Sequence, residues 1–126
     1  MIDQEEIDNL LAASALDRVE YCIEQIVEAA QVWVLGTESG FTMFTQDEQG
    51  VFPVWPYAEF AELLRTGEEK PEAIALERFL QHYLPHFKEQ GYKIAIMPLP
   101  TGKGVVVSTH DFAEYIQVAQ EADDAF

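Results

Sequence analysis

The apolar residues of this chain change their spacing near residue 31, and this change limits the folds that the chain can form. Before it, Val19, Ile23, Ile26 and Ala30 follow intervals of four, three and four residues. Such intervals place side chains on one face of a helix. After it, residues 32–35 are consecutive apolar residues rich in β-branched and aromatic side chains, which is typical of a strand. The chain therefore begins with helices and continues with strands.

Two helices are predicted before the change of spacing. Ile7, Leu10 and Leu11 share one face of the first. Ser14, followed three residues later by Asp17, is typical of the residue that caps a helix start, and it predicts a second helix over residues 15–30. The pattern leaves open whether these are two helices or one kinked rod.

Three short strands are predicted next, at residues 32–35, 41–45 and 51–55. Polar, glycine-containing turns separate them, so we expect an antiparallel three-strand meander. Pro53 has no N–H to donate to a neighbouring strand. Its position predicts that the third strand is short or lies at an edge.

The second half predicts two helices, a hairpin and a final helix. Pro56 suits the first turn of one helix. A second helix over residues 76–89 contains Pro85, where we expect a kink or a break. Strands at 93–97 and 105–108 form a C-terminal hairpin, and Ser108 or Thr109 caps the last helix. The fold class is therefore α+β: a mostly antiparallel sheet with helices packed on one face.

A length of 126 residues suits one domain with one hydrophobic core. We divide it into a helical segment (1–31), a core (32–120) and a frayed tail (121–126). Cys22 is the only cysteine, so no internal disulfide can form. No apolar run approaches the ~20 residues of a membrane span, and the first residues are acidic where a signal peptide is basic. We expect a soluble cytoplasmic protein without a cofactor.

The net charge of −16 is unevenly distributed. Residues 1–62 contain 13 acidic residues and one base, Arg18, for a formal charge of −12. Such a chain repels phosphate backbones and anionic lipids, which argues against nucleic acid and membranes as partners. It would attract a basic protein. The alternative is that the acidity only keeps a small protein soluble.

Four acidic residues of the second helix form an acidic stripe: Asp17, Glu20, Glu24 and Glu28. Their intervals of three, four and four residues place them on one helix face. Like charges at this spacing destabilise a helix slightly. The stripe is a candidate surface for a basic partner, with a simple solvated face as the alternative.

Trp55 and Tyr57 lie close to Pro53 and Pro56. Trp and Tyr are enriched among the residues that dominate protein interfaces, so these two are candidate contacts for a partner. The alternative is that Trp55 packs beneath the following helix as a core residue.

His82 and His86 are four residues apart on a predicted helix, and Glu89 follows one turn later. That spacing suits a metal site, although Pro85 disturbs the helix between them, and solvent-facing histidines are the simpler interpretation. Cys22 is interpreted as a small buried apolar residue rather than a nucleophile. The run from Ser108 to Asp111 contains hydrolase residue types, but neighbours at a helix start fit a cap better than a catalytic triad.

Several short motifs carry a resemblance to a known family. They lie at residues 32–35, 40–41, 51–56, 60–61, 74–76, 79–80, 84–85, 91, 98 and 102–107. Together they resemble the bacterial domain of unknown function DUF2750. The resemblance implies a bacterial, cytoplasmic, single-domain protein, and it implies no established activity, cofactor or catalytic residue. Its recurring Trp, Pro, Gly and aliphatic positions describe a fold rather than an active site.

These observations favour a non-enzymatic interaction or regulatory protein that binds a protein partner, which its acidity suggests is basic. Two alternatives remain. One is a small enzyme or ligand-binding domain with a polar site between sheet and helices. The other is a structural module that forms homodimers or larger oligomers.

Overall fold

The structure is a computed structural model that describes residues 4–38, 40–46, 48–65, 67–99 and 105–124. It begins with two separate helices. They are α1 (Gln4–Ala12) and α2 (Ala15–Ala29). Between them, the Ser14 Oγ accepts a hydrogen bond from the Asp17 N–H at 3.2 Å. The predicted cap is confirmed, and the extended backbone of Ser14 explains why the chain forms two helices rather than one rod.

Strands follow α2 in the order that the change of spacing predicts. In the described part of the chain they are β1 (Gln31–Thr37), β2 (Gly40–Phe41), β3 (Phe44–Gln46), β4 (Gln49–Val54), β5 (Lys70–Ala75), β6 (Lys93–Ile96) and β7 (Val105–Val107). They form two ladders, ordered β2-β1-β5 and β3-β4-β6-β7. Trp33 and Trp55 join the ladders by exchanging both backbone hydrogen bonds, each 2.9 Å long.

The pairing is mostly antiparallel, as predicted, and the C-terminal hairpin is present as β6 and β7. The middle strand of the predicted meander is divided. Its first part, β2, pairs with β1, and its second part, β3, pairs with β4. The single strand expected over residues 41–45 therefore bridges the two ladders as separate pieces.

β4 pairs in parallel with β6, a long-range contact that the spacing of residues does not predict. This pairing places Pro53 inside the ladder order, opposite Ala95, rather than at an edge. The Val54 carbonyl accepts from the Met97 N–H on the β6 side, whereas Trp55 bonds to Trp33 on the other side. Strand alternation therefore turns the Pro53 nitrogen away from β6, so the missing N–H costs no hydrogen bond to β6.

The helix around Pro85 continues without a break because its hydrogen bonding changes. It consists of α4 (Leu76–Arg78), a π-helical segment (Phe79–Tyr83) and α5 (Leu84–Gln90), which ends at Gly91 with φ 75°. The Leu84 N–H bonds to the Phe79 carbonyl, five residues back. Pro85 has no N–H and would clash with the carbonyl four residues back in a regular helix. The π-helical segment thus accommodates Pro85 where we expected a kink or break.

An aromatic cluster forms the centre of the core. Phe52 of β4 contacts Phe79 and Phe87, with ring centroids 6.1 and 4.6 Å apart, and Phe79 contacts Phe112 of the last helix at 5.7 Å. The helix over residues 76–90 and the last helix thereby pack on the face of the sheet that carries Phe52. Residues 51–56 are all buried, so the centre of the sheet is covered on its other face as well.

Two further helices complete the fold. The short α3 (Ala58–Leu63) follows Tyr57, and the long α6 (Thr109–Asp124) packs on α2 and β6. The Ser108 Oγ accepts from the Asp111 N–H at 3.0 Å, which confirms the predicted cap. α6 thus includes residues 121–124 of the expected frayed tail, and residues 125–126 lie outside the described chain. Within the described residues, no helix combines the length and apolarity that spanning a bilayer requires.

Candidate functional site

An open groove lies between α2 and α6, with a volume of about 1060 Å³. We call it the α2/α6 groove. Val105 of β7 contributes one lining residue, and the two helices supply the rest. The α2 wall consists of Leu16, Val19, Glu20, Ile23, Glu24, Gln25, Val27 and Glu28. The α6 wall consists of Glu114, Tyr115, Val118, Ala119 and Ala122.

Uncovered apolar side chains line this groove. Leu16 is 66% exposed, Val118 is 59% exposed and Tyr115 is 41% exposed. Six large hydrophobic side chains of the described chain are more than about a third exposed, and three of the six lie in this groove. Single exposed apolar residues are normal on a protein surface, whereas a group of them in a concavity is typical of an interaction site.

Carboxylates stand beside these apolar side chains. Three residues of the predicted acidic stripe, Glu20, Glu24 and Glu28, line the α2 wall, and Glu114 lies on the α6 wall. All four are exposed. Asp17, the first residue of the stripe, is exposed but does not line the groove. The structure thus places three of the four stripe residues at one concavity, next to an apolar floor.

The described groove lining contains no Lys or Arg beside its carboxylates. Glu114 has an imidazole neighbour outside the lining, the Nε2 of His110 at 3.7 Å. Arg18 is the only Lys or Arg of α2. Its Nη1 donates a hydrogen bond to the Ala13 carbonyl, so the guanidinium points toward the end of α1. Arg65 pairs with Glu62 at 2.9 Å, and Arg78 lies over the Tyr83 ring at 5.9 Å. These bases therefore do not neutralise the groove.

Trp55 is completely buried, which corrects its assignment as a surface contact. Its indole Nε1 donates a hydrogen bond to the Pro98 carbonyl at 2.8 Å. The indole thus satisfies its one polar group inside the core. Trp55 supports the fold and cannot touch a partner on the folded surface.

Tyr57 lies at a second concavity, of about 410 Å³, which we call the tyrosine pocket. Its lining residues are Glu6, Asn9, Leu10, Tyr21, Gln25 and Tyr57. The Tyr57 hydroxyl donates a hydrogen bond to the Gln25 Oε1 at 2.6 Å, and the rings of Tyr57 and Tyr21 are 6.5 Å apart. Burial raises the pKa of the Tyr21 phenol, and Tyr57 and Glu6 raise it further. The pocket is polar, but its groups already bind one another.

His82, His86 and Glu89 are all exposed on the helix that contains Pro85. The π-helical segment includes His82 but not His86. Among the described residues, the cluster whose potential ligand atoms approach within 4.8 Å consists of His110, Asp111 and Glu114 instead. These three are exposed at the start of α6, where His110 and Glu114 are 3.7 Å apart.

Two other candidates have structural roles. Cys22 is fully buried in α2, and burial raises the pKa of its thiol, which disfavours the reactive thiolate. Ser108 uses its Oγ to cap α6. The residue types of a nucleophile are therefore present, but they are engaged in packing and capping. The predicted turn at residues 102–104 lies outside the described residues.

Sequence reasoning found the acidic side of the groove but missed most of its apolar side. Leu16 and Val118 fall outside the buried stripes of their helices, and nothing local shows that they meet across a concavity. An available signal was the surplus of apolar residues on α6. Phe112 and Ile116 fill its buried face, while Tyr115 and Val118 are left on another.

A comparison with known protein families finds a match. The sequence model of the family described as "Protein of unknown function (DUF2750)" matches residues 19–116. No curated protein and no solved structure matches the chain. The family match includes α2 from Val19 onward, the whole sheet and α6 as far as Ile116, while α1 precedes it. Because the match covers most of the 126 residues, this protein belongs to the DUF2750 family.

Proposed function

We propose that this protein is a non-enzymatic interaction protein that binds a basic protein partner through the α2/α6 groove. One observation carries the proposal: the groove combines uncovered apolar side chains with a row of carboxylates and has no Lys or Arg among its described lining residues. Burial of apolar surface supplies most of the free energy of protein association. Complementary charges orient the partner and accelerate binding.

The sign of the charge restricts the partner. Glu20, Glu24, Glu28 and Glu114 would repel the phosphates of nucleic acids and the headgroups of anionic lipids. They would also repel each other if two copies joined through this groove, which makes a homodimer the weaker alternative. We further propose a cytoplasmic, bacterial setting, which the family resemblance implies.

A small polar ligand in the tyrosine pocket is the second candidate function. The raised pKa of Tyr21 favours it, since perturbed groups in a concavity are typical of functional sites. The hydrogen bond between Tyr57 and Gln25 disfavours it, because a ligand would have to replace a contact that the protein already makes. We therefore rank it below partner binding.

The test is capture from a native cell extract by the immobilised protein and two variants, at low and high salt. The first variant is Glu20/Glu24/Glu28→Gln, which removes the carboxylates of the α2 wall. The second, Glu5/Glu77/Glu89→Gln, is the matched control, because it removes the same charge from exposed glutamates outside the groove.

A basic protein retained by the wild type and the control, lost from the first variant and released by salt, is the expected result. Identical capture by all three proteins would contradict the proposal, and so would binding that is indifferent to salt. Capture of a second copy of this chain would support the homodimer instead. Light scattering at high protein concentration distinguishes that case.

A further inference from the structure

We infer that the partner occupies the α2/α6 groove as an amphipathic helix. Its large apolar side chains face the groove floor, and its Lys or Arg side chains run along the flank that faces Glu20, Glu24 and Glu28. This inference rests on the proposed function and deepens it, since it specifies the form and the charge pattern of the partner segment.

The walls of the groove favour a helix over an extended segment. Both walls are helices, and helices bind their own backbone groups internally, so they offer no free ladder to an added strand. An extended peptide lying on the apolar floor would leave its N–H and C=O groups unpaired, at a cost in free energy. A helix brings its backbone already hydrogen bonded. β7 contributes only Val105 and is three residues long, too short to pair along the groove.

The dimensions define the segment. The α2 wall runs from Leu16 to Glu28, which is about 18 Å at the helical rise of 1.5 Å per residue. A partner helix of about twelve residues, or three turns, would match it. Helices in general pack by fitting the side-chain ridges of one into the furrows of another, and a third helix can pack on α2 and α6 in this way. Recognition of an amphipathic helix in an apolar groove is a recurring mode of peptide binding.

The carboxylates define the charge pattern. Glu20, Glu24 and Glu28 recur every four residues, about 6 Å apart along α2. Bases at intervals of three or four residues on one flank of the partner helix would meet each of them in turn. The α6 wall carries only Glu114 among its lining residues, so the opposite flank needs fewer bases.

The helices of a second copy do not have this pattern. The continuous helix over residues 76–90 carries Arg78 and Lys88, which are ten residues apart rather than three or four. In α1, α2 and α6, the other described helices of at least nine residues, Arg18 is the only Lys or Arg. Their exposed faces are acidic. The occupant is therefore a helix of another protein.

Three synthetic 15-residue peptides would test the inference. One carries leucines at intervals of three and four residues with lysines along one flank. The second has the same composition in an order that places the leucines on no single face. The third repeats the first with glutamate in place of each lysine. Fluorescence anisotropy measures binding, and far-UV circular dichroism of the mixtures, minus the separate components, measures helix formation.

We expect the amphipathic basic peptide to bind saturably and gain helix, and each of the others to bind at least about tenfold more weakly. The Glu20/Glu24/Glu28→Gln variant should weaken binding by about tenfold, since it removes three exposed ion pairs. A Leu16/Val118→Ser variant should weaken it at least as much, because two apolar contacts are lost. Leu63→Ser and Glu5/Glu77/Glu89→Gln, which change residues outside the groove, should leave binding unchanged.

Several results would overturn the inference. Equal affinity for the rearranged peptide would show that charge alone recruits the partner. The inferred helical form of the partner would then be wrong, while the proposed function would stand. Tight binding that the groove variants leave unchanged would show that the helix binds elsewhere. Failure of all three peptides would remove the helical partner, and the capture experiment would then judge the proposed function separately.

Discussion

Apolar side chains and polar groups are buried and partnered in the core around Trp55, whereas similar groups are left exposed in the α2/α6 groove. In the core, the indole N–H reaches the Pro98 carbonyl, and the rings of Phe52, Phe79 and Phe87 cover one another. No buried side-chain polar atom of the described residues lacks a hydrogen-bond partner. In the groove, Leu16 and Val118 remain more than half exposed, and the α2 carboxylates have no cation from the described lining.

The difference shows where this protein can gain from contact with another molecule. A partner offers nothing to a core whose apolar and polar groups are already matched. In the groove it can remove apolar surface from water and supply the missing positive charge. The tyrosine pocket is intermediate, because it is a concavity whose polar groups bind one another. The contrast predicts that core substitutions cost stability, while groove substitutions cost binding.

A large loss of stability is expected for Trp55→Phe. The substitution removes the hydrogen bond to Pro98, leaves that carbonyl without this donor and opens a cavity at a fully buried site. We expect the free energy of unfolding to fall by about 2–4 kcal/mol. Urea denaturation followed by circular dichroism measures it. A loss below about 1 kcal/mol would mean that the hydrogen bond and the packing of Trp55 contribute less to stability than its contacts indicate.

Tyr57→Phe should have a smaller effect. It removes the hydroxyl that donates to the Gln25 Oε1 in the partly buried tyrosine pocket. We expect a loss of about 1 kcal/mol in the free energy of unfolding, measured in the same way. Tyr115→Phe, at a more exposed position, is the control and should change stability little. Equal effects of the two substitutions would argue against the pocket's internal hydrogen bond.

The pocket also predicts a dependence on alkaline pH. Because the pKa of Tyr21 is raised in the folded state, the unfolded chain loses this proton first as the pH passes the ordinary tyrosine value of about 10. Stability that is present below this pH is then lost as the pH rises. Tyr21→Phe should show a shallower decline than the wild type in urea denaturation from pH 9 to about pH 11. Parallel declines would contradict the prediction.

The Glu20/Glu24/Glu28→Gln variant should be slightly more stable than the wild type. It relieves two like-charge contacts between glutamates four residues apart, each worth a few tenths of a kcal/mol. We expect a gain of about 0.5 kcal/mol at low ionic strength that fades in high salt. A loss of stability at low salt would indicate that these carboxylates have a stabilising partner within the protein. Glu5/Glu77/Glu89→Gln separates this local effect from the change in net charge.

The smallest effect on stability is expected for Leu16→Ser and Val118→Ser. Both side chains are largely exposed, so each substitution should change the free energy of unfolding by less than about 0.5 kcal/mol. Leu35→Ala, at a fully buried position, should cost about 2–5 kcal/mol by comparison. Denaturation of the three variants checks this contrast. A large loss at Leu16 or Val118 would place the groove residues in the core.

Local signals in the sequence predicted the features that depend on local interactions. The caps at Ser14 and Ser108 and the helix end at Gly91 each require only a few neighbouring residues. The sequence could not predict the parallel pairing of β4 with β6, since no property of either strand identifies its partner across the intervening chain. The interior position of Pro53 depends on that pairing, because only the sheet order determines which side its missing N–H faces.

The candidate site divides in the same way. Helical spacing alone placed Glu20, Glu24 and Glu28 together. The α6 wall was not predicted, because it depends on the packing of α2 against α6, and the strands of the sheet lie between these two helices in the sequence. The surface role of Trp55 was wrong for a similar reason. An aromatic residue between prolines suits either an interface or a core, and the burial of Trp55 with its hydrogen bond to Pro98 decides for the core.

The two long-range strand pairings have a consequence for how the chain acquires its fold. The segment that connects β1 to β5 contains β4, and the segment that connects β4 to β6 contains β5. The two connecting segments overlap in the sequence. A cut anywhere between residues 37 and 93 therefore separates the partner strands of at least one of these two pairings. Neither half of the sheet is a self-sufficient piece, and loop closure must precede most of the stabilising contacts. We therefore expect slow, all-or-none folding, with fragments of the sheet unable to fold alone.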